Sequence, residues 1–158
     1  RRHTRSLCDW SSDVCSSDLP APPEPWTEVR DATQYRHGCP QVVRFDVTEA
    51  SENEDCLHLN IAVPDSAPAR TPVLVWVHGG AWVGGSNDIY AIDHLARETG
   101  LVVVAINYRL GALGFMPHPA FDADANGALG FEDQRFALTW VHRNIAAFGG
   151  DQIGRAHV

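Results

Sequence analysis

A glycine-rich stretch, VWVHGGAWVGGS over residues 75–86, has the residue types and spacing that best suit chemistry. A short apolar run leads directly into Gly79, Gly80 and Ala81. Two glycines followed by a small residue allow the backbone to turn sharply and to present its N–H groups outward. Such groups at a strand end can stabilise the negative charge that develops on a carbonyl oxygen during acyl transfer. A loop of this kind could therefore bind an oxyanion.

Two other interpretations of this loop need weighing. The dinucleotide fingerprint G-x-G-x-x-G is absent, and Trp82 would crowd a pyrophosphate. The sequence contains no Lys, so a Walker-type phosphate loop is also excluded. A tight glycine-rich turn without any ligand stays open on the loop sequence alone.

Composition limits the remaining classes. The 158 residues suit one domain, and a hydrophobic fraction of 44% fits a globular core. A net charge of −8 argues against nucleic acid, whose phosphates require basic patches. No apolar run approaches the roughly 20 residues of a membrane span. We expect no metal and no cofactor.

Hydrophobic periodicity predicts alternating strands and helices. Residues 57–63 alternate with a period of two, which predicts a strand with one buried face. Continuous apolar runs at 73–77 and 101–106 predict buried parallel strands. Helices are predicted at 90–99 and 131–148, ended by Gly100 and Gly149, and a short strand at 42–47. This order predicts an α/β fold with a mostly parallel sheet and flanking helices.

The two ends of the chain read unlike protein sequence. Residues 1–19, RRHTRSLCDWSSDVCSSDL, show no hydrophobic period and lack the apolar core of a signal peptide. They resemble the translation of an indexed sequencing-library adapter, and IGRAHV at 153–158 resembles its reverse complement. We therefore expect adapter-like sequence at 1–19 and 152–158, with the protein segment at 20–151.

The origin of the ends is testable at the level of DNA. We expect the codons for residues 1–19 and 153–158 to match the adapter base for base, outside the index bases that would encode Ser6, Leu7 and Cys8. A natural gene would differ at synonymous positions. The nucleotide sequence from which this chain was translated checks this, and synonymous codons unrelated to the adapter would refute it.

Three further motifs accompany the glycine-rich loop. They are EDCLHLN at 54–60, NYRLGALGF at 107–115 and GFEDQRFALTWVHRNIAAFGGD at 130–151. In this order and spacing the sequence resembles the type-B carboxylesterase (cholinesterase-like) family of α/β-hydrolases, over nearly all of residues 20–151. It departs from the family pattern at His58 and Ala62. The resemblance implies the N-terminal part of an α/β-hydrolase fold, with the sheet incomplete.

The resemblance also implies site residues. The oxyanion donors would be the backbone N–H groups of Gly80 and Ala81, where Ala81 replaces a third glycine. The nucleophile would lie in a G-E-S-A-G elbow beyond Asp151, and the acid and the base later still. The sequence contains no G-x-S-x-G, and Ser86 does not fit one. We therefore expect no triad residue in this chain, and a loop-supporting role for His78.

Cys39 and Cys56 resemble the family's disulfide at the EDC motif. The resemblance implies Cα atoms about 4.4–6.8 Å apart and an oxidising compartment, so a secreted or extracytoplasmic protein. The alternative is a zinc site with His37 and His58, although one-residue ligand spacing is unusual for zinc.

The resemblance implies a parent enzyme, a bacterial serine carboxylesterase that acts on small-molecule esters through an acyl-enzyme. Choline-hydrolysing relatives carry a Trp between these cysteines, whereas Phe45 is the only aromatic residue there. Uncharged esters are therefore the expected substrates. The alternatives are a non-catalytic binding or adhesion homologue of the same fold, and a truncated product without function.

Overall fold

The computed structural model describes residues 19–23, 27–28, 31–42, 48–119 and 126–151, together with the backbone of residues 4–7. The predicted strand at 42–47 lies almost wholly outside these residues, and so does Phe45. No helix in the described part of the chain is long and apolar enough to cross a membrane.

A four-stranded sheet forms the centre of the described structure. Its strands are β1 (Thr4–Leu7), β2 (Leu59–Ala62), β3 (Val73–Val77) and β4 (Val102–Ile106). Their order across the sheet is β1-β2-β4-β3. Strands β3 and β4 run parallel, whereas β1–β2 and β2–β4 are antiparallel pairs. No strand had been predicted from the sequence at β1.

The parallel pair is joined by helix α1 (Ile92–Thr99). Its buried residues Ile92 and Ala96, one turn apart, pack against the sheet face that carries Val103 and Ala105. Gly100 ends the helix with a φ of 69°, a left-handed conformation that glycine adopts without strain. The predicted strand–helix–strand unit is thereby confirmed.

Strand β2 differs from its prediction. All four of its residues are buried, so the expected exposed face does not exist. Leu59 and Ile61 face a core with the long helix, whereas Ala62 faces the α1 side. The alternation therefore reflects two covered faces, with the polar side chain of Asn60 buried on one of them.

Strand β3 has the predicted bounds but is less buried than predicted. Trp76 is 37% exposed and Val77 is 40% exposed. Among the described strands only β4 pairs with it, so β3 is an edge of the sheet. Two residues before the start of β3, Thr71 makes an isolated parallel bridge with Gly150.

The predicted C-terminal helix is confirmed, with changed bounds and composition. Helix α3 (Leu129–Asn144) begins two residues earlier and passes into a 3₁₀ turn (Ile145–Phe148), which Gly149 ends. The buried face of the helix carries Ala137 and Val141, and Ile145 of the 3₁₀ turn continues it. Leu138 was expected there but is 44% exposed. A short helix before it, α2 (Gly111–Phe115), was not predicted because five residues show no periodicity.

A buried ion pair joins the segment after β4 to α3. Asp133 is fully buried and accepts hydrogen bonds from the Arg109 backbone N–H, Nε and Nη2 at 2.9, 2.8 and 2.6 Å. Burial raises the pKa of the Asp133 carboxyl, and the three Arg109 donors oppose that shift. Removal of either partner would leave the other buried without this opposite charge.

The substitution Asp133→Ala is therefore expected to destabilise the protein by about 3–5 kcal/mol. The matched control is Asp93→Ala, since Asp93 pairs with Arg97 on the surface, where a pair contributes less than about 1 kcal/mol. Denaturant midpoints of the full-length gene product measure both changes. Equal effects of the two substitutions would contradict the assigned role of the buried pair.

Candidate active site

The glycine-rich loop leaves the end of β3 in an uncommon backbone conformation. Three successive residues have positive φ, with 124° at Gly80, 53° at Ala81 and 60° at Trp82. Ala81 and Trp82 carry a side chain, so each left-handed conformation costs roughly 1–2 kcal/mol. Backbone strain of this kind concentrates at functional sites.

The carbonyl of Gly80 points into the loop. It accepts hydrogen bonds from the N–H groups of Val83 at 3.1 Å and Gly84 at 3.2 Å. A Cβ added to Gly80 would lie 1.8 Å from the Gly84 oxygen, so only glycine fits. In a planar trans peptide the N–H is opposed to the C=O. The N–H of Ala81 therefore points away from the loop interior.

The preceding peptide is held by a side chain. The carbonyl oxygen of Gly79 lies 2.9 Å from Nδ1 of His78. Within the described residues, no protein acceptor takes the N–H of Gly80 or of Ala81. The loop thus offers two adjacent backbone donors at the carboxyl end of a strand, the arrangement that an oxyanion requires.

His78 itself is buried, 3% exposed, and stacks on Tyr108 with ring centroids 4.4 Å apart. The hydroxyl of Tyr108 donates to the His78 carbonyl at 2.9 Å. Burial lowers the pKa of His78, so its imidazole is neutral at pH 7. These contacts are those of a residue that supports the loop, whereas His94, His118 and His142 are exposed.

The far end of the loop is anchored by Gln41. Its side-chain amide pairs with the backbone of Gly85 through two hydrogen bonds of 2.9 and 2.8 Å. The same amide donates to the Cys39 carbonyl at 3.1 Å. Sequence reasoning missed Gln41, because the contact joins residues 44 positions apart.

The disulfide prediction is confirmed. Cys39 and Cys56 are bonded, with Cα atoms 4.7 Å apart and both residues buried. The alternative zinc site with His37 and His58 is wrong, because the disulfide occupies both sulfur ligands. The described residues hold no group of three or more His, Cys, Asp or Glu suited to a metal.

Two buried asparagines extend this anchoring. Asn107 accepts from the Asn87 N–H at 2.8 Å and donates to the Cys56 carbonyl at 3.1 Å. Asn87 donates through its amide to the His58 carbonyl at 3.1 Å. The loop is thereby tied to β2, to the disulfide and to the segment after β4. Asn107 begins the NYRLGALGF motif, but the sequence alone did not predict its hydrogen bonds to Asn87 and Cys56.

An open apolar cleft of about 650 Å³ adjoins Ala81. Its lining residues include Ala81 and three aromatic residues that contact one another, Trp82, Phe115 and Phe131. Trp82 is fixed here because its carbonyl accepts from the Gly111 N–H at 2.6 Å. The cleft therefore places an apolar surface beside Ala81.

The family assignment follows from comparison with known proteins. The model of the carboxylesterase family matches residues 18–153. The chain belongs to the carboxylesterase family. Its fold is accordingly the N-terminal part of an α/β-hydrolase, with an incomplete sheet.

This carboxylesterase chain has curated relatives at moderate identity. It is 44% identical to the para-nitrobenzyl esterase of Bacillus subtilis (strain 168) over 138 residues, which are 84% of this chain and 28% of that protein. It is 41% identical to the cholinesterase of Mus musculus over 144 residues, 84% of this chain and 24% of that protein.

Two solved structures of esterases are also similar to this chain. A thermophilic PNB esterase superposes with a TM-score of 0.75 at 43% identity, covering 84% of this chain and 29% of that one. A second PNB esterase gives 0.73 at 44% identity, covering 84% and 28%. The carboxylesterase chain therefore spans less than a third of the length of these relatives.

Ser86 is the serine nearest to the donors in sequence, and it does not have the setting of a nucleophile. It is 4% exposed, and its hydroxyl donates to the carboxylate of Asp88, a short contact between neighbouring residues. An attacking serine requires a base within reach and access to the substrate. The carboxylesterase chain thus brings the predicted donors Gly80 and Ala81 together beside a cleft, with Ser86 turned to another partner.

Proposed function

We propose that this chain is the oxyanion-stabilising part of a serine carboxylesterase. The backbone N–H groups of Gly80 and Ala81 hold the oxyanion of the tetrahedral intermediate. One observation carries the proposal. Both adjacent peptides have their carbonyls satisfied inside the loop, at Gly79 and Gly80, while their N–H groups have no protein acceptor in the described part of the chain.

The reaction proceeds through an acyl-enzyme. A serine attacks the ester carbonyl, a histidine takes the serine proton and returns it to the leaving alcohol, and water then hydrolyses the acyl-enzyme. The negative charge on the former carbonyl oxygen forms beside the two N–H groups. Preorganised donors of this kind lower the barrier because they need no reorganisation.

The nucleophile of the parent protein lies beyond Asp151. The absence of a G-x-S-x-G sequence supports this, and so does the coverage of 28% of the para-nitrobenzyl esterase. The parallel bridge at Gly150 adds a structural reason. Thr71 lies two residues before β3. Its backbone N–H donates to the Gly149 carbonyl at 2.9 Å, and its carbonyl accepts from the Asp151 N–H at 2.7 Å.

This bridge sets a direction for the chain of the parent protein. A parallel strand that continues after Asp151 from the Thr71–Gly150 register runs along the open edge of β3. Its carboxyl end then lies beside the end of β3, where His78 and the loop begin. A serine at that end would face the N–H groups of Gly80 and Ala81.

The proposed substrates are small uncharged carboxylic esters. The apolar cleft beside Ala81 supports this class, as does the lack of a Trp between Cys39 and Cys56. The relative named para-nitrobenzyl esterase points the same way. The disulfide supports an extracytoplasmic protein, since such bonds persist in oxidising compartments. We also propose a bacterial parent, which the Lys-free composition supports.

The test is kinetic. The gene product extended through its genomic stop codon is assayed with p-nitrophenyl butyrate and with butyrylthiocholine, whose acyl groups match. The choline ester lacks a cation–π contact worth up to about 2 kcal/mol, so we expect a kcat/KM higher for the uncharged ester, by up to about 30-fold. Preference for the choline ester would refute the substrate class. An elbow without serine, with no turnover, would favour a binding or adhesion homologue.

A further inference from the structure

We infer that His78 is a positioning residue for the first oxyanion donor, and that it acts by holding the Gly79–Gly80 peptide in one orientation. This rests on the proposed function, because the donor it orients is the N–H of Gly80. The orientation of the peptide depends on one atom of His78, Nδ1, and is separate from the packing of the ring.

The carbonyl of Gly79 and the N–H of Gly80 belong to the same planar group and point in opposite directions. The hydrogen bond of 2.9 Å from His78 Nδ1 draws that carbonyl toward the loop interior. The N–H of Gly80 is therefore directed away from His78. Rotation of this peptide would present a carbonyl oxygen to the oxyanion instead, and the two would repel.

The geometry also fixes the tautomer of His78. A carbonyl oxygen only accepts hydrogen bonds, so Nδ1 must carry the proton. Nε2 is buried and has no hydrogen-bond partner. A proton on Nε2 would be a buried donor without an acceptor, whereas a lone pair there costs less. The neutral imidazole with the proton on Nδ1 is the form that satisfies both ring nitrogens best.

Gly85 makes room for this contact. A Cβ at Gly85 would lie 2.4 Å from His78 Nδ1 and 2.4 Å from the Gly79 oxygen, the two atoms that form the hydrogen bond. The glycines of the loop therefore serve two purposes. Gly80 allows the turn, and Gly85 allows the imidazole to reach the peptide behind the first donor.

The competing explanation is that His78 only packs, through its stack on Tyr108. Two substitutions separate the roles. His78→Phe keeps an aromatic ring on Tyr108 and removes the donor. His78→Asn removes the ring and places its side-chain amide near the position of Nδ1. A positioning role predicts that Asn is the better replacement, whereas a packing role predicts that Phe is.

The experiment uses the full-length gene product and p-nitrophenyl butyrate. We expect His78→Phe to lower kcat about 10- to 100-fold with KM changed less than about threefold, since a misdirected donor forfeits part of the roughly 10²–10³ that one donor contributes. His78→Asn should retain kcat within about fivefold. Retained kcat in the Phe variant, or a larger loss in the Asn variant, would overturn the inference.

A second measurement does not depend on turnover. In protein labelled with ¹⁵N-histidine, the His78 signal, identified by its loss in the Asn variant, should show the proton on Nδ1. A proton on Nε2 would overturn the inference even in an active enzyme. A wild-type protein with the Nδ1 proton but no ester hydrolysis would refute the proposed function and leave the positioning of the peptide intact.

Discussion

Residues 20–151 purified alone are expected to hydrolyse no ester, even where the intact parent is an efficient enzyme. Each oxyanion donor stabilises the transition state by roughly 3–4 kcal/mol, but only when a nucleophile creates that transition state. With the catalytic serine, histidine and acid beyond Asp151, as proposed above, no acyl-enzyme forms for Gly80 and Ala81 to assist. The predicted rate with a short-chain p-nitrophenyl ester equals that of a heat-denatured sample.

The same segment is expected to be poorly soluble or partly folded. Strand β3 is an open edge with Trp76 and Val77 exposed, and exposed apolar edges promote aggregation. The matched control is the version extended through the genomic stop codon, expressed and assayed in parallel. Turnover by residues 20–151 above the denatured sample would show that the nucleophile has been misplaced.

The second large effect is expected at Gly80. In the full-length gene product, Gly80→Ala should lower kcat by about 10²–10³ or more, the loss associated with one oxyanion donor. The added Cβ would lie 1.8 Å from the Gly84 oxygen, at a φ of 124° that side chains rarely adopt. The loop must move, and its donors move with it.

Ala81→Gly is the matched control for this substitution. It retains the N–H donor and relieves a left-handed alanine with a φ of 53°. We expect kcat within a few-fold of the unsubstituted enzyme and stability equal or slightly higher. Thermal unfolding of both variants shows that they are folded. A Gly80→Ala enzyme as active as Ala81→Gly would contradict the assignment of this loop.

Local sequence signals were sufficient for the parallel unit and for the sharp turn after β3. The apolar run at 73–77 and the Gly100 cap specify β3 and α1 through contacts between near neighbours. The turn was predictable because a glycine pair before a small residue favours a sharp turn at the strand end. These signals are local, so they do not depend on strands beyond those described.

The supports of the loop were not predictable, because they depend on partners distant in sequence. Gln41 meets Gly85 across 44 positions, and Asn107 meets Cys56 across 51. Burial was misjudged for the same reason. The period of two in β2 predicted one exposed face, but other elements cover both faces. The apolar sequence of β3 predicted a buried strand, but β3 lies at an edge of the described sheet and is partly exposed.

The most direct test of the central claim is covalent labelling of the full-length gene product with a fluorophosphonate, followed by mass mapping of the adduct. A serine nucleophile held beside the Gly80 and Ala81 donors attacks phosphorus and retains the label. We predict one labelled serine, within a G-x-S-x-G sequence beyond Asp151, and loss of ester hydrolysis in proportion to labelling. Label on Ser86 or on any other residue within 20–151, or an active enzyme that takes no label, would contradict the account.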